Sequence, residues 1–403
     1  MGLYAYQDAP AELLRLATRS AFENLVDGAI AEEVDFMIIA GDLYDGPWRD
    51  FNTGLFFARE MGRLNAVNIP VYLLMGNHDA ESEMTKRLVL PPNVFKFDSK
   101  KPQTYKIDKL RVALHGRSFK DAATTENFAA TYPAPVAGWF NIGVLHTALE
   151  GNTVHANYAP CSVAELQTKG YQYWALGHVH EHRIISGNCT IAFPGNLQGR
   201  HIRETGPRGA LMVTASDTDV MSVDRYFVDV LRWHRMDVNV SGLNTMTEVV
   251  AAVALGLEGI LRGADADKPH AVRVVISGAC HAHAELFGLE TQLREEIKAQ
   301  AVSLGSERLW IEKVRLETKP IETEESISLR ADAVAELQGL LAGASSDTAL
   351  LTSMHQDLMT LIGKLPLEVV NAIPALEHVR AGRLEILIQQ TTASLIAQVA
   401  KAA

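Results

Sequence analysis

Four apolar segments in the first half of the chain each end in residues that can bind metal ions. They are VDFMIIAGD, IPVYLLMGNHD, WFNIGVLHTAL and YQYWALGHVH, and the first two are each preceded by a segment of helical periodicity. Short apolar runs of this kind are typical of buried strands in an α/β sheet that is covered by helices. Because such strands carry their functional residues beyond their carboxyl ends, we expect these polar side chains to lie in loops at one edge of the sheet.

The residues at these strand ends form the candidate site. They are Asp42, Asp45, Asn77, His78, Asp79, His146, His178 and His180. Carboxylate oxygen, amide oxygen and imidazole nitrogen together suit Mn²⁺, Fe²⁺ or Zn²⁺, whereas a magnesium site would contain more oxygen. The candidates are spread from residue 42 to residue 180, so the site can form only when the chain folds.

The segment GHVHEH places histidines at every second position. Alternate residues of an extended chain point the same way, so His178 and His180 can be directed towards one point. His182 lies past the motif, and we expect it to be solvated. His115 also ends an apolar run but belongs to no motif, so the sequence leaves its role open.

The overall charge limits how the chain could bind nucleic acid. The formal net charge is −11, which argues against a surface that attracts phosphate everywhere. A phosphate-bearing substrate would need a local source of positive charge, such as bound metal ions. Arg200 and Arg203, in GRHIRETGPRG, are candidate phosphate contacts, with a solvated loop as the alternative.

The remaining bulk features predict a cytoplasmic protein. The three cysteines lie far apart and form no CxxC pair, which favours a reducing compartment and argues against cysteine-bound zinc. The longest apolar stretch is too short to span a membrane, and the first ten residues lack the features of a secretory signal.

Changes in the periodicity predict three regions. Residues 1–231 carry the apolar strands and the site, residues 232–325 alternate strand and helix as a small α/β domain, and residues 326–403 retain only helical periodicity. The helical region is a candidate docking surface for a partner, with packing against itself as the alternative.

Taken together, GDLYD, GNHD, a lone strand-end histidine and GHVH resemble the calcineurin-like metallophosphoesterase superfamily. The segments FNTGLFFARE and FPGNLQGRHIRETGPRGA, with the small α/β domain as a cap, resemble its SbcD-like DNA repair exonucleases. The resemblance implies a four-layer αββα sandwich followed by a capping domain and a helical region. It also implies partners, namely DNA ends and an SMC-type ATPase subunit, and a second copy of the chain is a further candidate.

The resemblance assigns a role to each candidate residue. It implies two metal ions, expected to be Mn²⁺, with Asp42 bridging them. One ion would be held by Asn77, His146 and His178, and the other would be bound by His180. His78 would act as an acid or stabilise charge on the phosphate, oriented by Asp79, and Asp45 would support a ligand histidine from outside the metal shell.

One family feature is absent from the printed sequence. The superfamily opens with an Asp-x-His motif on its first strand, and no such motif precedes AGDLYD. We therefore expect the sequence to begin one strand late, which leaves one metal position nearly complete and the other with only Asp42 and His180.

These features leave three functions open. The first is a metal-dependent DNA exonuclease subunit, with activity reduced by the missing motif. The second is a phosphodiesterase or phosphatase for small molecules, which suits the acidic charge, and the third is a non-catalytic scaffold of an SMC-type ATPase complex.

Overall fold

The fold is described from a computed structural model of the chain. The described residues are 11–43, 51–80, 89–121, 124–150, 159–263, 268–305, 308–321, 336, 339–341, 343–344, 347–363 and 374–388.

The first sheet is parallel and is built from short strands that alternate with helices. Its strands follow the order β1, β2, β3 along both the sheet and the chain. The elements of this layer are α1 (Ala11–Ala31), β1 (Met37–Ala40), α2 (Phe51–Ala66), β2 (Val71–Leu74), α3 (Asn77–Ala80) and β3 (Val94–Lys96).

The second sheet is mixed and has the strand order β4, β5, β6, β7, β9, β8. Strands β5, β6, β7 and β9 are parallel, while β4 and β8 pair antiparallel at the two edges. The elements are β4 (Gln103–Ile107), β5 (Val112–Gly116), α4 (Phe128–Thr131), β6 (Phe140–His146), α5 (Val163–Thr168), β7 (Tyr173–Gly177), β8 (Arg183–Ile185) and β9 (Thr190–Phe193).

The two sheets face each other across a shared apolar core. In β2, Tyr72 and Leu74 pack into the core between the sheets, whereas Val71 and Leu73 pack against α1 and α2. The same alternation occurs in β7, where Trp174 faces the outer core with α4 and α5. Both sheets are therefore buried on two faces, which explains their continuous apolar sequences. The layer order is helix, sheet, sheet, helix, so the predicted αββα sandwich is confirmed.

A hairpin and a small α/β sheet follow the sandwich. The hairpin strands pair antiparallel, and the three strands of the later sheet are all parallel. One face of that sheet packs on helices through an aliphatic core that includes Val250, Val274 and Ile297. The elements are β10 (Gly209–Ala215), β11 (Val220–Phe227), β12 (Arg232–Asn239), α6 (Met246–Leu261), β13 (His270–Ala279), α7 (His283–Gly288), α8 (Glu290–Gly305) and β14 (Leu309–Lys319).

The chain divides into two compact units between Lys319 and Pro320. The second unit contains α9 (Thr348–Ile362) and α10 (Pro374–Arg380), and its small buried core includes Val379 and Leu384. Residues 322–335 lie outside the described part of the chain, so the predicted boundary after residue 325 stays a prediction. Among the described residues, no helix is long and apolar enough to cross a membrane.

Candidate metal centre

The site lies where strands of both sheets end. Asp42 follows β1 and Asn77 follows β2 of the first sheet, while His146 is the last residue of β6 and His178 follows β7 in the second sheet. The site therefore spans the adjoining carboxyl edges of the two sheets, and neither sheet alone holds more than part of it.

Three of the predicted ligands form a group of metal-binding size. Asp42, His146 and His178 each offer one ligand atom, and these atoms all lie within 4.8 Å of one another. The distance from His146 Nε2 to Asp42 Oδ2 is 3.4 Å, and the distance from His146 Nε2 to Asn77 Oδ1 is 2.8 Å. The structure thus brings together four of the residues named from the sequence.

The hydrogen bonding of His146 indicates that a cation fits between these side chains. Its Nδ1 lies 3.0 Å from the carbonyl oxygen of Ala40, which can only accept a hydrogen bond, so Nδ1 carries the proton. In a neutral imidazole, Nε2 then presents a lone pair to the oxygens of Asn77 and Asp42. Three electron-pair donors directed at one another repel, and a divalent ion removes that repulsion.

The surroundings of Asp42 favour its ionised form. Burial acts to raise the pKa of this carboxyl group. When a proton rather than a metal ion lies on His146 Nε2, the hydrogen bond and positive charge of that ring, together with His78, outweigh burial and hold the pKa below its ordinary value. The backbone N–H of His78 donates to Asp42 Oδ1 over 3.2 Å. The side chain is therefore an anionic ligand at neutral pH.

The glycines of the motifs are required because the site is tightly packed. A Cβ atom on Gly76 would lie 2.5 Å from Asp42 Oδ1, and one on Gly177 would lie 2.0 Å from the carbonyl oxygen of Ala40. Both distances are shorter than real contacts allow. Glycine at these positions lets the loops after β1, β2 and β7 approach one another.

Asp79 joins two of the loops that carry ligands. It is buried, and its Oδ2 accepts hydrogen bonds from the backbone N–H groups of Gly76, over 2.9 Å, and Leu43, over 3.2 Å. The carboxylate thus holds the Asp42 loop against the Asn77 loop. His78 is half-buried beside it, and the expectation that Asp79 orients this ring stays a prediction.

His180 lies outside the group formed by Asp42, His146 and His178. Its Nδ1 is 2.8 Å from Glu204 Oε1. Burial acts to raise the pKa of Glu204, but hydrogen bonds from His180 and the Arg200 backbone, with the charges of Arg200 and His201, lower it to about 2. Glu204 was not predicted from the sequence although it lies in the segment GRHIRETGPRG, because a single glutamate among arginines forms no recognisable ligand pattern.

The candidate phosphate contacts differ in their surroundings. Arg203 is exposed, while the guanidinium of Arg200 lies 3.4 Å from His180 Nδ1 and 3.6 Å from Glu204 Oε1. Arg200 therefore sits at the edge of the candidate site and is held there by a carboxylate. Asp45, the predicted outer-shell carboxylate, lies outside the described residues.

The other two histidines considered from the sequence are not part of the metal group. His115 is fully buried and is hydrogen-bonded to Thr104 and Asn141, which is a structural role. His182 is half-buried, and burial, together with the charge of Arg225, lowers the pKa of its ring.

Comparison with known families agrees with this arrangement. Residues 16–182 match the calcineurin-like phosphoesterase family, and residues 233–319 match the middle domain of the metallophosphoesterase YhaO. Residues 16–182 therefore form a calcineurin-like phosphoesterase domain.

Several curated relatives share part of the sequence. The uncharacterized metallophosphoesterase YhaO of Bacillus subtilis strain 168 is 32% identical over 269 residues, covering 66% of this chain and 65% of the relative. The DNA double-strand break repair protein Mre11 of Sulfurisphaera tokodaii is 25% identical over 235 residues, covering 55% of this chain and 59% of the relative. The chain thus matches less than two thirds of the length of these relatives.

A second Mre11 protein and a solved structure are also similar. Mre11 of Saccharolobus solfataricus is 27% identical over 166 residues, covering 40% of this chain and 42% of the relative. The crystal structure of TT1561 of Thermus thermophilus superposes with a TM-score of 0.30 at 16% identity, covering 44% of this chain and 84% of that chain.

Proposed function

We propose that the chain is a metal-dependent phosphodiesterase that acts on DNA, as the nuclease subunit of a repair complex. The convergence of Asp42, Asn77, His146 and His178 on one point carries the proposal, because these donors can hold a divalent ion. Among the similar proteins, those named Mre11 act in DNA double-strand break repair, which favours DNA as the substrate.

The four donors would hold the ion, which we expect to be Mn²⁺. Such an ion supplies Lewis-acid stabilisation of charge on a phosphate group. Asp42, which is anionic, balances part of the charge of the ion, and Asp79 keeps the two ligand loops in place. His78 would donate a proton to the leaving oxygen. The hydrogen bond from its backbone N–H to Asp42 holds the residue beside the metal ligands.

Phosphates away from the scissile bond would be bound by arginines. Arg203 is exposed, and Arg200 lies beside His180 at the edge of the site. With a net charge of −11, the chain needs such local cations to hold a DNA backbone. We expect Arg203→Ala to weaken DNA binding and to reduce its salt dependence, with little effect on hydrolysis of a small ester.

The same net charge favours a second candidate, a phosphodiesterase for small molecules. One assay separates the two functions. Linear duplex DNA and the chromogenic ester bis(p-nitrophenyl) phosphate are each incubated with the protein and Mn²⁺, and then with EDTA. Degradation of DNA that EDTA stops supports the nuclease, whereas hydrolysis of the ester alone would refute it.

The matched variants are His178→Ala, Asp42→Ala and His182→Ala. The first two should remove most of the Mn²⁺ affinity and nearly all hydrolysis, because each deletes a donor, whereas the third leaves the group unchanged. Calorimetric titration with Mn²⁺ measures the affinity. Equal losses of Mn²⁺ affinity in all three variants would contradict the metal assignment. A wild-type chain that binds no metal and hydrolyses neither substrate would favour the scaffold function.

We also propose that the helical region, residues 326–403, binds an SMC-type ATPase subunit. The buried core of its described part is small, while Leu350 and Met359 of α9 are 40% and 39% exposed. Leu350→Asp with Met359→Asp should abolish co-elution with the ATPase in size-exclusion chromatography and leave ester hydrolysis unchanged. Unchanged co-elution would exclude this helix as the docking surface.

A further inference from the structure

The hydrogen bond between His180 and Glu204 joins a proposed metal ligand to a buried carboxylate that lies outside the metal group. We infer that Glu204 is a positioning residue, which fixes the ring of His180 so that Nε2 is the atom presented to a divalent metal ion. The inference rests on the proposed metal-dependent function and names one residue that prepares its second metal position.

The hydrogen-bond pattern of Glu204 determines the tautomer of His180. The Glu204 side chain is 6% exposed, and an ionised carboxylate can only accept hydrogen bonds. Oε1 lies 2.8 Å from His180 Nδ1, much closer than the competing donor Arg200 Nη2 at 3.4 Å, so Nδ1 carries the proton and bonds Glu204. A neutral ring protonated at Nδ1 has its lone pair at Nε2, which is the arrangement in metal sites where a carboxylate supports a histidine ligand.

Glu204 is itself held in position from the other side. Its Oε2 accepts hydrogen bonds from the backbone N–H of Arg200, over 2.8 Å, and from the side-chain amide of Asn196, over 2.9 Å. With both oxygens engaged, the carboxylate cannot rotate without breaking several bonds. The direction of its bond to His180 is therefore fixed by the surrounding loop.

The backbone of His180 is anchored to the same segment. Arg208 is buried, and its Nη1 donates to the carbonyl oxygen of His180 over 2.7 Å and lies 3.2 Å from Asn196 Oδ1. The backbone N–H of Asn196 also donates to this carbonyl, over 3.2 Å. Ring and backbone are thus fixed together, as a ligand must be before the metal arrives.

The unequal burial of the two side chains favours positioning over simple structural support. The side chain of His180 is 36% exposed, whereas that of Glu204 is 6% exposed. Burying a carboxylate is costly unless it is hydrogen-bonded, and the bonds from Asn196 and the Arg200 backbone meet that need apart from the bond to His180. A histidine that binds a metal ion needs one ring nitrogen held by a fixed carboxylate and the rest of the ring accessible to the ion.

The test measures the tautomer of His180 in the metal-free protein. Histidine is labelled with ¹⁵N, tautomers are read from two-bond ¹H–¹⁵N correlation spectra, and the His180 signals are assigned by their loss in His180→Ala. We expect Nδ1–H in the wild type. In Glu204→Gln, the amide oxygen should face the two donors at Arg200 and Asn196, so its NH₂ group faces His180 Nδ1 and forces the proton to Nε2.

Two further variants control the result. Glu204→Ala should also give Nε2–H, the form that a solvated imidazole prefers, and it replaces Glu204→Gln if that variant does not fold. Asn196→Ala removes a bond to Glu204 but not the bond to His180, so it should retain Nδ1–H. Nδ1–H at His180 in both Glu204 variants would overturn the inference.

A Zn²⁺ titration of the same samples separates this inference from the proposed function. Zn²⁺ should shift the His146, His178 and His180 nitrogens in the wild type, and the apparent affinity read from His180 should fall about 10- to 100-fold in Glu204→Gln. If no histidine responds to Zn²⁺, the metal centre itself is wrong. If His146 and His178 respond while the His180 affinity is unchanged in Glu204→Gln, only the role of Glu204 is refuted.

Discussion

At the scale of single residues, two proposed ligands have unfavourable backbone conformations. Asp42 has a φ of 52° and His178 has a φ of 94°, whereas most residues other than glycine avoid positive φ. Conformations of this kind cost on the order of 1–3 kcal/mol each and occur mainly where function requires them. Aspartate tolerates the left-handed region, so the cost falls chiefly on His178.

This cost predicts a difference between two variants that both lose the same imidazole. His178→Gly should be more stable than His178→Ala by about 1–2 kcal/mol, because glycine adopts φ near 94° without strain. Urea unfolding of the metal-free proteins measures the difference. The control is the pair His182→Gly and His182→Ala, because the φ of His182 is not positive. In this pair the alanine variant should be the more stable. A His178 pair that behaves like the His182 pair would exclude strain.

At the scale of secondary-structure elements, the site depends on how closely the end of β7 approaches the end of β1. Gly177 ends β7, and Ala40 ends β1 in the other sheet. Any side chain at Gly177 would separate them, because its Cβ would meet the carbonyl oxygen of Ala40. That carbonyl also orients His146, so the packing of two strands and the direction of one ligand are coupled.

We therefore expect Gly177→Ala to lower stability by about 1–3 kcal/mol, as overpacking does, and to weaken Mn²⁺ binding as well. Gly62→Ala is the matched control, because Gly62 lies within α2 with no atom near the position of a Cβ. That variant should gain about 0.5–1 kcal/mol and keep its metal affinity. Thermal unfolding and Mn²⁺ calorimetry provide the two readouts, and similar results for both variants would contradict the close approach.

His115 links neighbouring strands of the second sheet and predicts a dependence on pH. Burial lowers the pKa of His115 below its ordinary value of 6.5, despite the hydrogen bond to Asn141. The unfolded chain therefore binds a proton at a higher pH than the folded chain does. The stability contributed by His115 is full above pH 6.5 and is lost as the pH falls below it.

His115→Gln should make this contribution visible. The variant should be less stable than the wild type at pH 7.5, because the bonds of His115 to Thr104 and Asn141 are lost, and the difference should narrow towards pH 5. Urea unfolding at several pH values, followed by tryptophan fluorescence, measures it. A constant difference would show that His115 titrates normally in the folded state.

At the scale of the whole molecule, the proposed metal centre connects elements that are far apart in sequence. Its four donors lie at or just after the carboxyl ends of β1, β2, β6 and β7, which belong to two different sheets. An ion bound by all four can bind only the folded chain, and a ligand of this kind adds stability in proportion to the logarithm of its concentration.

Mn²⁺ should therefore raise the thermal unfolding temperature of the wild type. At a concentration about 100 times the dissociation constant, the expected gain is about 2.7 kcal/mol. EDTA should reverse the shift, and His178→Ala should show none. An equal shift in that variant would place the stabilising ion elsewhere on the protein.

Much of the fold could be predicted because local patterns carry it. A strand-length apolar run such as IPVYLL indicates a strand that is buried on both faces. The helical spacing in FNTGLFFARE indicates a helix that is buried on one face, and together the two patterns predict the α/β class. The rule that parallel strands end at a common edge accounts for each pair of donors within its own sheet, whereas the packing of the two sheets brings Asp42 and Asn77 to His146 and His178. The partners and the boundary after residue 325 stay predictions.

The sequence by itself determined the class of sheet and the chemical types of the site residues, because both follow from periodicity and side-chain chemistry at strand ends. Tertiary packing places His180 against Glu204 and leaves His180, His115 and His182 outside the group of Asp42, His146 and His178. The physical reason is that hydrogen-bond partners distant in sequence are selected by packing, and no local pattern records which of several polar groups will meet.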